Sequence, residues 1–133
     1  MKAVKANITK SLPVGAEILA ADNSGAKVVK IISVYGHKTS KNRYAAAGVS
    51  DLFVASVIKG SPELRGKVVY GTVIRQRKEY LRKEGVRIAF EDNAAVIFKD
   101  KSGLPKGTLI KGAVAKEACE RWPDVAKLAN IIV

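Results

Sequence analysis

The stretch VIRQRKEYLRKEGVRIAFEDN, residues 73–93, is the part of this sequence that decides the fold. It begins with apolar strand-forming residues, becomes basic after Ile74, and reverses at a glycine. It then returns as a second strand that ends in an Asn turn. Because side chains alternate along a strand, both faces are mostly apolar up to Ile74 and both become polar beyond it. The pattern predicts a strand, residues 68–81, that leaves a barrel after Ile74 and continues as a two-stranded ribbon with residues 86–90.

The predicted ribbon is strongly basic. A turn over residues 82–85, with Gly85 at positive φ, would set Leu81 opposite Val86 and Tyr80 opposite Arg87. Because an isolated hairpin is marginally stable, we expect RNA or a neighbouring protein to support it. The cationic side chains of the stretch are Arg75, Arg77, Lys78, Arg82, Lys83 and Arg87.

Composition favours a polyanionic partner. The chain has 133 residues with 24 Lys and Arg against 12 Asp and Glu, a formal charge of +12, which suits one domain over residues 1–133 with a nucleic-acid partner. A membrane is disfavoured because the basic stretches are not long amphipathic helices and no apolar run is long enough to span a bilayer. A lone cysteine fits a reducing, cytosolic setting.

The remaining pattern is typical of a small β protein. Short strands are predicted over residues 17–21, 27–34, 51–59 and 94–99, separated by Gly-rich and Pro-rich turns. Residues 1–15 form an N-terminal extension, and residues 116–133 are predicted to hold two short helices, 116–121 and 124–130, divided at Pro123. Many short strands with few aromatic residues favour a small barrel over a sandwich.

A second basic segment lies in the predicted loop of residues 35–48. Lys38, Lys41 and Arg43 supply charge for a phosphate backbone, and Tyr44 could stack on an unpaired base. Solvated surface charge is the alternative for this loop and for the ribbon. The sequence lacks a basic recognition helix and zinc-finger spacing, which favours RNA over DNA.

The sequence offers little for catalysis or metal binding. One His and one Cys do not make a metal site, and His37 has no carboxylate or nucleophile fixed near it. Cys119 lies between two acids that disfavour a thiolate. We therefore predict no enzymatic activity, no cofactor and no metal. Trp122 could pack the terminal helices on the barrel or anchor a protein partner.

Several motifs, in order along most of the chain, resemble the universal large-subunit ribosomal protein fourteen family. They are ADNSGA at 21–26, RYA at 43–45 with GV at 48–49, VIR at 73–75, FEDNA at 90–94, and GT at 107–108 followed by Ile110, Gly112 and Val114. AAGV at 46–49, PELR at 62–65, RQRK at 75–78, AKE at 115–117 and WP at 122–123 are similar to the archaeal and eukaryotic branch, and the archaeal part of it in particular.

The resemblance implies a mainly β fold: a five-stranded β-barrel with a protruding basic ribbon and short C-terminal helices. It implies a structural constituent of the cytoplasmic ribosome that binds large-subunit rRNA, contributes to bridges with small-subunit rRNA, and contacts neighbouring ribosomal proteins. Anti-association initiation factor six would dock near residues 116–133, where Lys116, Arg121 and Trp122 are candidate contacts. The candidate RNA contacts are Lys38, Lys41, Arg43, Tyr44, Arg75, Arg77, Lys78, Tyr80, Arg82, Lys83 and Arg87. The alternative is a free RNA-binding factor with a small OB-like barrel, which would display aromatic residues along its strands.

Overall fold

A computed structural model describes residues 6–36 and 41–133, and a closed five-stranded barrel forms its centre. Two short helices follow near the C-terminus. The elements in chain order are β1 (Ala6–Asn7), β2 (Leu12–Pro13), β3 (Glu17–Ala20), β4 (Ala26–Val34), β5 (Ala46–Ala47), β6 (Leu52–Gly60), β7 (Val68–Arg75), β8 (Tyr80–Arg82), β9 (Arg87–Ile88), β10 (Ala94–Phe98), β11 (Ala113–Val114), α1 (Lys116–Arg121), α2 (Pro123–Leu128) and β12 (Ile131–Ile132).

The barrel strands follow the order β10-β3-β4-β6-β7 and close through a parallel β10–β3 pair. The other pairs are antiparallel. β-Branched and small residues fill most of the interior, and Phe53 is the large side chain inside it. The ring lies against Gly71, where an added Cβ would stand 2.7 Å from the Val96 carbonyl and 3.1 Å from the ring. The prediction of a mainly β fold built on a five-stranded barrel is confirmed.

The predicted long strand over residues 68–81 is wrong, because β7 ends at Arg75 and β8 begins only at Tyr80. The buried side chain of Gln76 turns the chain by donating to the Thr9 and Lys78 carbonyls and accepting from the Val49 amide. The ladder stops there, since the Arg77 amide donates to a side chain, Asn93 Oδ1, at 2.8 Å.

The ribbon has a different register from the predicted one. Tyr80 pairs with Ile88, and Leu81 pairs with Arg87. The Arg82 amide donates to the Val86 carbonyl, so the connecting loop has three residues and not four. Gly85 has the expected positive φ, +87°. A shift of one residue moves Arg87 to the face opposite Tyr80, because adjacent residues point to opposite sides of a strand.

The ribbon is not free-standing. β1 adds a third strand by pairing with β8, and Tyr80 is fully buried, where it donates to Glu117 of α1. The support that we expected from RNA or a second protein therefore comes partly from the chain itself. Three strands with a buried side are far more stable than a lone hairpin.

The helices cover the outer face of the barrel. The first helix has the predicted bounds, and the second begins at Pro123, in the first turn where proline is tolerated. Trp122 packs on Phe98 with ring centroids 5.0 Å apart, and its Nε1 donates to the Ser50 carbonyl at 2.9 Å. Within the described part of the chain, neither helix has the length and apolar character that a membrane span requires.

The N-terminal extension runs across the barrel as two short strands, β1 and β2, which we call the N-terminal strap (residues 6–13). β1 pairs with the ribbon, and β2 pairs with β5. The sequence predicts this segment only as an N-terminal extension, residues 1–15. Its first five residues lie outside the described part of the chain.

Candidate nucleic-acid interface

The six cations of the ribbon segment divide into two that are used inside the fold and four that face outward. Arg75 belongs to the first group. Its guanidinium forms a two-pronged ion pair with Asp92, at 2.9 and 3.2 Å, and donates to the Lys111 and Ala113 carbonyls. Its side chain is only 12% exposed. With its donors turned inward, Arg75 supports the fold, which disfavours its predicted role as an RNA contact.

Arg82 and Tyr80 also face inward, towards Glu117. The Glu117 carboxylate accepts from Tyr80 Oη at 2.5 Å and from Arg82 Nε and Nη2 at 2.9 and 3.2 Å. Burial lowers the pKa of Arg82, but its hydrogen bonds to Glu117 and Tyr80 outweigh that and raise it. Burial, followed by the hydrogen bond to Glu117, raises the pKa of Tyr80. A fully buried ring leaves no face for a base, which disfavours the predicted RNA contact of Tyr80, and the inward hydrogen bonds of Arg82 disfavour its predicted contact likewise.

The four remaining ribbon cations are exposed: Arg77, Lys78, Lys83 and Arg87. Arg77 Nε donates a hydrogen bond to the Glu91 carbonyl at 3.1 Å. Arg87 stands 3.7 Å from Glu79, with the two side chains 60% and 50% exposed. Lys78 and Lys83 have no ion pair with another described residue. These side chains can reach a phosphate at little structural cost, because exposed pairs are weak.

The second basic segment is also exposed. Lys41, Arg43 and Tyr44 all lie on the surface, and Tyr44 is 81% exposed. Lys41 and Asn42 have positive φ, 52° and 61°, which turns the chain outward just before β5. Lys38 and His37 lie outside the described residues. An exposed tyrosine between cations has the chemistry of a stacking contact, but nothing in the structure tests it.

The N-terminal strap brings the two basic segments together. Its first strand pairs Asn7 with Leu81 of the ribbon, and its second pairs Leu12 with Ala47, just after the basic segment. Asn7 and Leu12 are five positions apart in the chain, so the strap spans at most ~18 Å between those two pairings. Gln76 locks the strap in place by bonding both Thr9 and Val49. The strap therefore ties the ribbon to β5, which begins two positions after Tyr44.

The C-terminal candidates for a protein partner are placed unequally. Trp122 is buried, 4% exposed, and joins the helices to the barrel, which disfavours its predicted role as a partner contact. Arg121 is mostly sequestered, 3.4 Å from Asp51 and over the Trp122 ring. Lys116 remains accessible beside Glu84. The sequence analysis missed β12, whose side chains are 57% and 53% exposed.

Three polar side chains that hold this side of the molecule together were also missed. Gln76 and Glu117 are buried and accept or donate across distant segments. Asp51 accepts from the Gly48 amide at 2.8 Å and from Lys10 at 2.6 Å. The available signal was weak, because Gln76 lies between two arginines, and Asp51 and Glu117 lie at the starts of predicted elements.

The described residues offer no obvious reactive centre. They contain no group of three or more His, Cys, Asp or Glu side chains placed to hold a metal. Cys119 is partly buried, and burial, with Glu117 and Glu120 nearby, raises the pKa of its thiol, which opposes nucleophilic reactivity. The barrel aromatics Phe53 and Phe98 are buried, which disfavours an OB-like stacking platform on the strands.

Comparison with known proteins agrees with the geometry. The family model for ribosomal protein L14p/L23e matches residues 11–133. The large ribosomal subunit protein uL14 of Nanoarchaeum equitans is 53% identical over 133 residues, which is all of both chains. The protein of the same name from Thermoplasma volcanium is 49% identical, again over the full length of both. The chain therefore belongs to the ribosomal protein L14p/L23e family, and its similarity to archaeal members confirms the predicted branch.

Proposed function

We propose that this chain is a large-subunit ribosomal protein that binds large-subunit rRNA through one basic face. That face combines the ribbon with residues 41–44, and the N-terminal strap holds the two together. In this family the role is structural and non-enzymatic, within the cytoplasmic ribosome. The strap carries the proposal, because it pairs with Leu81 of the ribbon and with Ala47, which follows Tyr44 by three positions, at two points no more than ~18 Å apart.

The charge distribution supports RNA over a small anionic ligand. The exposed cations of this face are spread along a ribbon and a segment that precedes β5, as contacts to successive phosphates would require. The members of the face are Lys41, Arg43, Arg77, Lys78, Lys83 and Arg87, with Tyr44 as the stacking candidate. Lys38, outside the described residues, is a further candidate on sequence grounds.

Finer contacts are part of the same proposal. We expect the whole chain, residues 1–133, to act as one domain that contributes to bridges with small-subunit rRNA and contacts neighbouring ribosomal proteins. Anti-association initiation factor six would dock on residues 116–133. Lys116 and the exposed strand β12 support a protein contact there, since exposed apolar residues next to a cation suit a protein partner.

The test is a salt titration of binding to transcribed large-subunit rRNA. If about six cations contact phosphates, the slope of log affinity against log salt should be near −5. Replacing three free cations of the ribbon by alanine should make the slope shallower by about 3. That variant is Arg77→Ala/Lys83→Ala/Arg87→Ala. The matched control removes the same charge from exposed lysines on β4 and β6: Lys27→Ala/Lys30→Ala/Lys59→Ala.

Thermal unfolding of both variants should stay near that of the wild type, since the removed side chains are exposed. Equal loss of binding in the two variants would show a general charge effect and no specific face. Arg75 is left intact in this experiment, because its four hydrogen bonds make its loss a folding defect. Co-sedimentation of the wild-type chain with large subunits after a high-salt wash tests assembly itself.

A further inference from the structure

A second basic site lies on the barrel, away from the ribbon. It is a cleft of about 280 Å³ at the start of β7, and Tyr70, at its edge, is five residues or ~17 Å along the strand from Arg75. The lining residues are Leu64, Lys67, Val68, Val69, Tyr70, Phe98, Lys99 and Lys106. This cleft plays no part in the face described above.

The cleft combines concentrated positive charge with an apolar floor. Three of its lining side chains are lysines and none is a carboxylate. None of the three lysines forms an ion pair with any residue of the described ranges. Val68 is 60% exposed, so apolar surface is available to a ligand. Three unneutralised ammonium groups around an apolar hollow repel one another, and an anion would relieve that repulsion.

An aromatic pair extends the cleft at one edge. Tyr70 packs against Tyr35 with ring centroids 6.2 Å apart, and Lys101 Nζ stands 5.3 Å from the Tyr35 ring. The nearby carboxylate of Asp100 accepts hydrogen bonds from Ser102 in its own loop and interacts more weakly, through its charge, with Lys99. The edge therefore adds a further cation and a π surface next to the lysines.

We propose that this cleft binds one unpaired nucleotide of RNA, with its base on the apolar floor beside Tyr70 and its flanking phosphates on the lysines. The inference rests on the proposed rRNA binding but names a separate site. A volume near the lower limit of small-ligand pockets, ~300 Å³, suits a single base and excludes a duplex. An acidic peptide is less suitable: carboxylates are best paired by the planar fork of arginine, whereas lysine binds phosphate as a point charge.

Photochemical cross-linking in assembled large subunits tests the site directly. A benzophenone side chain at Val68 should form an adduct with RNA that maps to an unpaired nucleotide. The same label at Ile32, an exposed residue on β4, is the control and should give no adduct at that nucleotide. Adducts at Val68 with protein only, or with paired nucleotides only, would overturn the proposal.

A charge-removal variant provides a second test on the isolated chain. Lys67→Ala/Lys99→Ala/Lys106→Ala should bind a labelled single-stranded oligouridylate with a salt slope shallower by about 2 than that of the wild type. The control on β4 and β6, described above, should change the slope by less. Equal changes in the two variants count against a specific cleft.

The proposed rRNA binding and the proposed nucleotide site can be refuted separately. If the wild-type chain is absent from salt-washed large subunits, the proposed function fails and the cleft with it. A different result refutes only the nucleotide site. In it, the large subunits retain the wild type and lose the ribbon variant. They retain the cleft variant as firmly as its control, and Val68 gives no RNA adduct.

Discussion

Replacing Glu117 should unfold the ribbon side of the molecule more severely than any other single carboxylate change. Its side chain is 4% exposed and receives three hydrogen bonds, one from Tyr80 and two from Arg82. In Glu117→Ala, the phenol and the guanidinium, itself only 13% exposed, would lose their acceptor while remaining buried. The predicted result is a large loss of stability without a change in the barrel core.

The magnitude follows from the burial of the partners. Breaking a buried ion pair by removing one member costs about 3–5 kcal/mol, because an uncompensated charge is left behind. A domain of this kind has only about 5–15 kcal/mol of stability in total. Glu117→Gln keeps the volume and one acceptor oxygen, so it should lie between the wild type and Glu117→Ala. Urea unfolding, followed by circular dichroism, measures all three.

An exposed pair on the same ribbon provides the control. Glu84 stands 3.4 Å from Lys116, with side chains 59% and 47% exposed. The pKa of Glu84 is lowered by a hydrogen bond between its carboxylate and its own backbone amide, and then by the charge of Lys116. Solvent nevertheless screens an ion pair as exposed as this one. Glu84→Gln should leave the urea midpoint almost unchanged. A loss below about 1 kcal/mol for Glu117→Ala, or equal shifts for both positions, would refute the argument that burial decides the cost.

Three further predictions follow from other contacts. Gly103→Ala should cost well above the ~1 kcal/mol expected of the matched Gly66→Ala in thermal unfolding. Both glycines have positive φ, but only the Cβ at Gly103 would strike an indole ring, at 2.5 Å. The stability advantage of the wild type over Tyr80→Phe should be constant up to about pH 10 and decline above it. The reason is that the phenol of Tyr80 has a higher pKa in the folded chain than in the unfolded chain. Its contribution to stability is therefore complete below the unfolded pKa of 10.0 and is lost as the pH rises above it. Gln76→Leu should increase hydrogen exchange at the Val49 amide, which loses its acceptor; unchanged protection would contradict the assigned bond.

The barrel was predictable because its signals are local. The strands of β4, β6 and β10 are marked by β-branched runs between Gly and Asn turns, and their observed bounds lie within one residue of the predicted ones at each end. In the turn between β3 and β4, the Ser24 hydroxyl donates to Asp22 at 2.8 Å. Turn chemistry depends on neighbouring residues alone, so a single sequence can show it.

The course of the ribbon was not predictable because it depends on distant partners. Gln76 ends β7 by hydrogen bonding to Thr9, which lies 67 positions earlier, and to Val49, which lies 27 positions earlier. Tyr80 and Arg82 face inward because Glu117, 35 to 37 positions later, accepts from both. Alternation gave the period of the strand correctly, but a loop one residue shorter than expected reversed the face of every residue on the returning strand.

The cations of this protein fall into two groups: those paired with acids inside the fold and those exposed to a partner. Two of the buried acids draw cations inward: Asp51 pairs with Lys10 and Arg121, and Glu117 pairs with Arg82. Their charges are satisfied within the fold, so the remaining lysines and arginines dominate the potential that a partner meets. A substitution in the buried group must therefore change stability first and RNA affinity only through the fold. A substitution among the exposed cations should do the reverse, and measuring stability and salt slope on the same variants distinguishes the two.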